Sequence, residues 1–542
     1  MAGQWRHHLR TALAVAAAAG LAARCGPSNA PKQGGTAVIA SAAGPRSANP
    51  LVASDVYSQE MNRSLLFLPL LRFGADLSLE PDLAESWNME GDTAAVFHLR
   101  RDVRWQDGRR VNADDAVFTI RRALDPATGY PNAGQIHHWH GVQRVDSFTV
   151  RLSFDPVREP LAALPLLPVL PRHVLDTVPP AAMAHAASNT RPVGDGPFRV
   201  VERRPDRWVF AANDSFPQAL GGRPRLDRLI WRTIPESTSQ IATLEAGEVD
   251  LVMGVQPDDY ARYADTLGLR GIERPTFRYS FIAWNGRRPP LDEVPVRRAL
   301  SLAIDRPQIL AALRHGHGAL AAGPVPPTHW AADTLAPLPY DTAQADRILD
   351  QAGFRRRDRD GIRHAFDGSP VRFTLLLPAG SDFNRDLAQV VQADLRNVGV
   401  DLELRPLEFS TLVQTITGPE RDFDAVLLAL DADVRLDLRS LFHSAALAGP
   451  FQLAGYSNSV LDSLLDAIDT TTDGAAARPL WARAQAILAR DQPWTFLYFF
   501  SDLMLARDRL HGVQADLRGV LFSAPDWWVA ARPSAAQVAG GR

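Results

Sequence analysis

The sequence predicts an α/β fold divided into more than one lobe. Three observations carry this. Val371–Leu377 is apolar and β-prone, Leu387–Val398 has helical spacing, and Val400–Leu404 and Phe423–Ala429 are β-prone again. Strands alternating with helical stretches argue for a largely parallel sheet. A length of 542 residues exceeds what one hydrophobic core organises and points to two or three lobes. With 46% hydrophobic and 22% charged residues, the composition fits a soluble globular chain rather than a disordered or membrane one.

Taken in order, the chain opens on an export-like segment. Arg6, His7, His8 and Arg10 form a basic stretch, and Thr11–Ala23 is an uncharged, alanine-rich run. That run is shorter than the ~20 residues a spanning helix needs. Residues 1–24 are therefore read as a signal peptide and 25–34 as a tether, with 534–542 as a loose tail. Cys25, the single cysteine, stands where a lipid-accepting cysteine would, although Arg24 replaces the small residue expected before it. Lipid anchoring at Cys25 and plain secretion both stay open, and both place the mature chain outside the cytoplasm. An internal disulfide is excluded.

The mature fold is expected to start with a strand at Gly35–Ala40, turned by Asn49-Pro50, because the proline biases Asn49 away from helix. Leu65–Leu71 is densely apolar and should be buried. Ala94–Leu99 and Val103–Trp105 are β-prone, and Asp107-Gly108 suits a tight turn. Asn112 or Asp114 can cap a helix carrying Ala116, Ile120, Ala123 and Leu124. Val145–Phe154 alternates as one half-exposed strand, and the proline-rich stretch from Pro156 to Pro180 predicts loops and short helices. Gly194 and Gly196 most simply permit a turn. Ile241–Val252 reads as a helix stopped at Gly247 and running into a strand. Pro289–Ile304 reads as a loop followed by an amphipathic helix with Val296, Leu300 and Ala303 on one face.

Charge and motifs exclude several function classes. The formal net charge of -3 gives no basic field for nucleic acid. HExxH, GxSxG, Walker A and CxxC motifs are missing, so neither an enzyme nor a cofactor is indicated. His137, His138 and His140, beside Trp139, have no cysteine or nearby carboxylate to complete a metal set and read as a polar surface loop. Asp358-x-Asp360-Gly361 lacks the glutamate of a calcium loop and reads as a hairpin turn.

Specific wording says more. Leu79–Trp87 (LEPDLAESW), Phe97–Gly108 (FHLRRDVRWQDG) and Val111–Phe118 (VNADDAVF) follow one another at short spacing. Further phrases are Val193–Phe198 (VGDGPF), Leu244–Asp250, Pro289–Arg306, Pro339–Phe354, Tyr456-Ser457-Asn458 and Asp491-Gln492-Pro493. Together, over about Gly35 to Trp528, the chain resembles extracytoplasmic solute-binding proteins of the peptide/nickel class, which deliver ligands to ABC importers. The resemblance implies a periplasmic-binding-protein-like fold: two α/β lobes around a ligand cleft, with an extra domain inserted in the first. Carried onto this chain, the first lobe takes residues 35–64, 185–277 and 500–533, the extra domain 65–184 and the second lobe 278–499. The cleft falls near crossover strands around Tyr279–Ile282 and Phe499–Met504.

The resemblance also implies roles. The chain would act as a monomer, capture a small solute such as a short peptide by lobe closure, and hand it to membrane permease subunits. A non-peptide solute (opine, sugar, metal chelate) and a sensor or docking role without transport stay open. Asp433 is the leading site residue: it matches the acid of a "W-x-x-D" phrase that pairs with a peptide's ammonium, with Leu430 in place of the tryptophan and Asp431 as a second acid. Arg435 is a candidate carboxylate clamp. Trp284 and Asn285 are expected to line the cleft. The loop Pro378–Arg385, with Ser381 and Arg385, sits after a second-lobe strand, where open sheets bind ligands. His443 fits a packing or a cleft-edge role equally well.

Overall fold

The computed structural model describes residues 34–432 and 436–530. The leader, Cys25, Asp433, Arg435 and the tail lie outside the described residues.

One eleven-stranded sheet runs through the molecule. Its path is Asp401–Leu407, Arg372–Pro378, Ala425–Asp431, Leu269–Trp284, Trp494–Arg507, Leu251–Met253, Thr36–Ser41, Arg228–Thr233, Arg207–Ala212 and Phe198–Arg204, with Ala319–Leu320 added beside Trp494–Arg507. The strand expected at the mature start and the three expected between Val371 and Ala429 are all present. Arg372–Pro378 is parallel to both Asp401–Leu407 and Ala425–Asp431, as the strand–helix rhythm requires. The helix between the first two, Asp382–Asn397, buries Leu387, Val391 and Leu395 against them.

The two central strands are the longest and run antiparallel. Leu269–Pro275 pairs with Ser501–Arg507, the register breaks between Pro275 and Tyr279, and pairing resumes from Tyr279 opposite Phe499 to Ala283 opposite Trp494. Buried side chains divide at that break. Two clusters, around Ile39, Leu66, Phe97 and Trp231 and around Leu244, Val252 and Leu505, lie on one side. Two others, around Tyr279, Trp481 and Trp494 and around Trp284, Leu300 and Leu375, lie on the other. Two cores joined through a pair of irregular strands make a hinge: bending there disturbs little packing.

A separate four-stranded antiparallel sheet, Ala84–Glu90, Ala94–Leu99, Thr149–Phe154 and Trp139–Asp146, packs on the first core. Its helix Ala113–Leu124 opens with a capping box. Asn112 Oδ1 accepts from the Asp114 N–H at 2.8 Å, while the Asn112 N–H donates to Asp115 Oδ2 at 3.1 Å. Two expectations change here. Val103–Trp105 makes no strand, only a bridge between Arg104 and Arg110 around the Asp107-Gly108 turn. Val145–Phe154 is not one strand but the second half of a hairpin, turned at Ser147-Phe148, because Asp146 bonds the Phe148 N–H and the Thr149 hydroxyl. The glycines of Val193–Phe198 serve closeness rather than a turn. A Cβ on Gly194 or Gly196 would collide with backbone atoms of Leu65 and Leu66.

Candidate functional site

Parallel strands of both lobes end at the crossover. Met253 pairs nearer the break than Leu251 does, and Asp431 lies opposite Arg278 while Ala425 lies opposite Trp284. The carboxyl ends of Leu251–Met253 and Thr36–Ser41 thus face those of Ala425–Asp431 and Arg372–Pro378. Ligands of open α/β sheets bind at such ends.

A cavity of about 170 Å³ opens there, lined among others by Tyr279, Pro324, Leu430, Asp431, Leu441 and Phe451. It is mostly apolar, with Asp431 as one charged group. Asp431 keeps solvent access, yet the crowding at the crossover holds its carboxyl above the usual range, with Arg278 opposing the shift and Asp502 adding to it. Asp502 forms an ion pair with Arg274. From the first lobe, Tyr57 approaches the same group. Its hydroxyl is pushed up to about 12, first by burial and then by Asp502 and Glu60, so it stays a neutral donor at physiological pH. Arg278 stacks over Phe500, 5.3 Å from the ring centroid. Acids, arginines and a tyrosine from both lobes therefore converge beside an apolar pocket, a composition suited to a ligand with both charged and apolar parts. Sequence reasoning found Asp431 and the crossover strands but missed Tyr57, Arg274, Arg278 and Asp502. Among 58 basic residues nothing local marks two arginines at a hinge.

Other expected site residues stand elsewhere. Trp284 is wholly buried and donates Nε1–H to Thr495 Oγ1 at 2.8 Å. Asn285 is equally buried and donates to the carbonyls of Arg421 and Phe423 at 3.1 and 2.8 Å. Both belong to the second lobe's interior rather than a cleft wall. Five residues separate Trp284 from Tyr279, roughly 17 Å of strand. Ser381 caps Asp382–Asn397, and Arg385 pairs on the helix surface with Asp382 at 2.7 Å. His443 caps a short turn through Nδ1, 2.9 Å from the Ala445 N–H, and lies 3.3 Å from Asp466. Asp358 closes the expected hairpin turn, accepting from the Asp360 and Ile362 N–H groups. Among the described residues no cluster of histidine, cysteine and acids could hold a metal ion.

A larger cavity, about 600 Å³, lies in the seam between the first lobe and the four-stranded sheet. Arg63, Arg72, Arg223, Arg225 and Arg518 reach it. Four of them pair with Glu80, Asp214 and Asp227, Asp526 and Asp516, and Arg63 donates to the Arg518 carbonyl. Its size does not outweigh position: it is away from the crossover, and its charges are largely matched internally.

Comparison with known proteins places this architecture. The chain is 28% identical over 508 residues to the oligopeptide-binding protein AppA of Bacillus subtilis, covering 92% of each. It is 27% identical over 486 residues to heme-binding protein A of Haemophilus influenzae, covering 85% of this chain and 86% of that one. The solved structure of Bacillus subtilis AppA in complex with a nonapeptide superposes with a TM-score of 0.74 at 27% identity, over 92% of this chain and all of that one. Residues 78–446, more than half of the chain, match the family described as bacterial extracellular solute-binding proteins, family 5 Middle. The chain belongs to family 5 of the bacterial extracellular solute-binding proteins.

Proposed function

We propose that the chain captures a short peptide between its lobes and delivers it to the permease of an ABC importer, without chemistry on the ligand. The observation that carries this is the meeting of parallel-strand ends from two separately cored lobes at a two-strand hinge, beside a pocket flanked by charges. The similarity to AppA, solved with a nonapeptide, supports the ligand class. The 170 Å³ pocket is smaller than the ~300 Å³ at which whole-ligand sites begin, so it suits one side chain of a ligand lying along the cleft. A non-peptide solute is the second reading, favoured by the similarity to a protein named for heme binding. The lobe limits expected from the sequence, a lipid anchor on Cys25 and action as a monomer belong to the same proposal.

Asp433, next but one to the strand end at Asp431, is assigned to the peptide ammonium, and Arg435 to a ligand carboxylate. A charge-assisted bond in a closing cleft is worth a great deal: truncating one partner costs ~2–5 kcal/mol. Calorimetric titration with a mixed tri- to pentapeptide library tests the assignment. Asp433→Ala is expected to abolish the binding seen with wild type while the thermal melt stays in place. Equal affinity in the variant removes Asp433 from the site.

A further inference from the structure

Arg158 lies in the loop that leaves the four-stranded sheet after Thr149–Phe154. The loop is anchored on its own side. The Pro160 carbonyl accepts from Trp139 Nε1–H at 2.7 Å and sits 2.9 Å from His138 Nε2, and Leu161 is buried in the first core. This is the work of the His-His-Trp-His segment, which therefore braces an arm rather than forming a loose surface loop; His138 itself is 2% exposed. The tip of the arm meets the other lobe. The Arg158 guanidinium lies 5.5 Å from the ring centroids of both Trp330 and Trp481, and the Arg158 N–H donates to the Asp469 carbonyl at 3.1 Å. Trp481 is a core residue of the second lobe, on the helix Gly474–Asp491, and Asp469 lies on the neighbouring helix Ser459–Thr470. Glu159 pairs with the guanidinium at 2.7 Å, so the charge enters the slot partly balanced. In this arrangement Arg158 is 3% exposed.

We infer that Arg158 is a positioning residue for capture: a latch by which the extra domain holds the second lobe closed over the cleft, through a guanidinium between Trp330 and Trp481. The inference rests on the two-lobe capture reading. The sheet around Thr149–Phe154 shares its core with the first lobe, so the two move as one body when the hinge opens. Opening must then withdraw Arg158 from between the indoles and break its main-chain bond to Asp469. Both contacts exist only in the closed arrangement, so they weight the equilibrium toward it and raise apparent affinity for any ligand that needs closure.

The test needs no ligand. Spin labels are placed at Leu267→Cys in the first lobe and Phe366→Cys in the second, both fully exposed, with Cys25 replaced by serine. Distances are measured in ligand-free protein. Arg158→Ala is expected to lower the closed-to-open ratio roughly 5- to 30-fold, the scale of a lost pair of desolvated cation–π contacts, with Arg158→Lys intermediate. Trp330→Ala, made from the opposite lobe in a loop, is expected to open the protein likewise, and it decides the matter if Arg158→Ala fails to fold. Unchanged distance distributions in folded Arg158→Ala or Trp330→Ala overturn the latch. Failure of the peptide reading would instead appear as an intact latch in a protein that binds no peptide.

Discussion

The two halves of the strand Leu269–Trp284 do opposite work. Leu269–Pro275 pairs with the first-lobe end of Trp494–Arg507 and is half-open to solvent, whereas Ser280–Trp284 is buried along its whole length between two layers of helices. The change occurs at the register break between Pro275 and Tyr279. A single strand is thus a hinge at one end and a core element at the other. The consequence is that conspicuous residues and functional residues separate. Trp284 and Asn285 sit in the core half, while the groups that face a ligand, such as Asp431 and Arg278, sit beside the break.

The sharpest way to break this comparison is to remove the core end. Trp284→Ala leaves a large cavity against Thr495 and Leu300 and should destabilise the second lobe by about 3–5 kcal/mol. A melt close to wild type would mean that Trp284 is not the interior residue described. The first lobe's side offers a pH test. Burial pushes the Asp82 carboxyl up to about 7, against the pull of Arg72 and Arg100. In the unfolded chain the group titrates near ~3.9. The native state therefore keeps a proton that the unfolded state has released, and stability falls as pH rises from about 4 to 7, by on the order of 4 kcal/mol from this group, then levels off. Asp82→Asn, a neutral mimic, should flatten that part of a stability–pH profile; an unaltered slope would assign it to other groups. Smaller still is Asn285→Ala. It strips donors from two buried carbonyls and should cost about 1–3 kcal/mol without changing ligand affinity. Weaker binding with an unchanged melt would return Asn285 to the cleft. Arg385→Ala should do least, at most ~1 kcal/mol, because its pair with Asp382 is exposed on a helix surface.

Much of the fold was legible because its signals are local. Apolar runs bounded by turn residues mark the strands Arg372–Pro378, Asp401–Leu407 and Ala425–Asp431, and Asn112 with Asp115 marks a helix start. The hairpin at Trp139–Phe154 was half missed, since its first strand is polar on most of its length and carries no alternation to read. The site was less legible for a different reason. Arg158 meets two tryptophans far along the chain, and Tyr57, Asp502 and Asp431 come together only through the crossover. Side chains of the same type elsewhere in the sequence do nothing comparable. Even the glycines of Val193–Phe198, visible as a motif, owe their place to the approach of Leu65 and Leu66, which no local pattern reveals.

The central claim, that the cleft is built to hold a peptide, is tested most directly by unfolding the protein as purified from its native host and identifying what it releases by mass spectrometry. A short peptide with a free amino terminus is the predicted result. A sugar, metal chelate or other solute without such an amine would contradict the peptide assignment and the role given to Asp433.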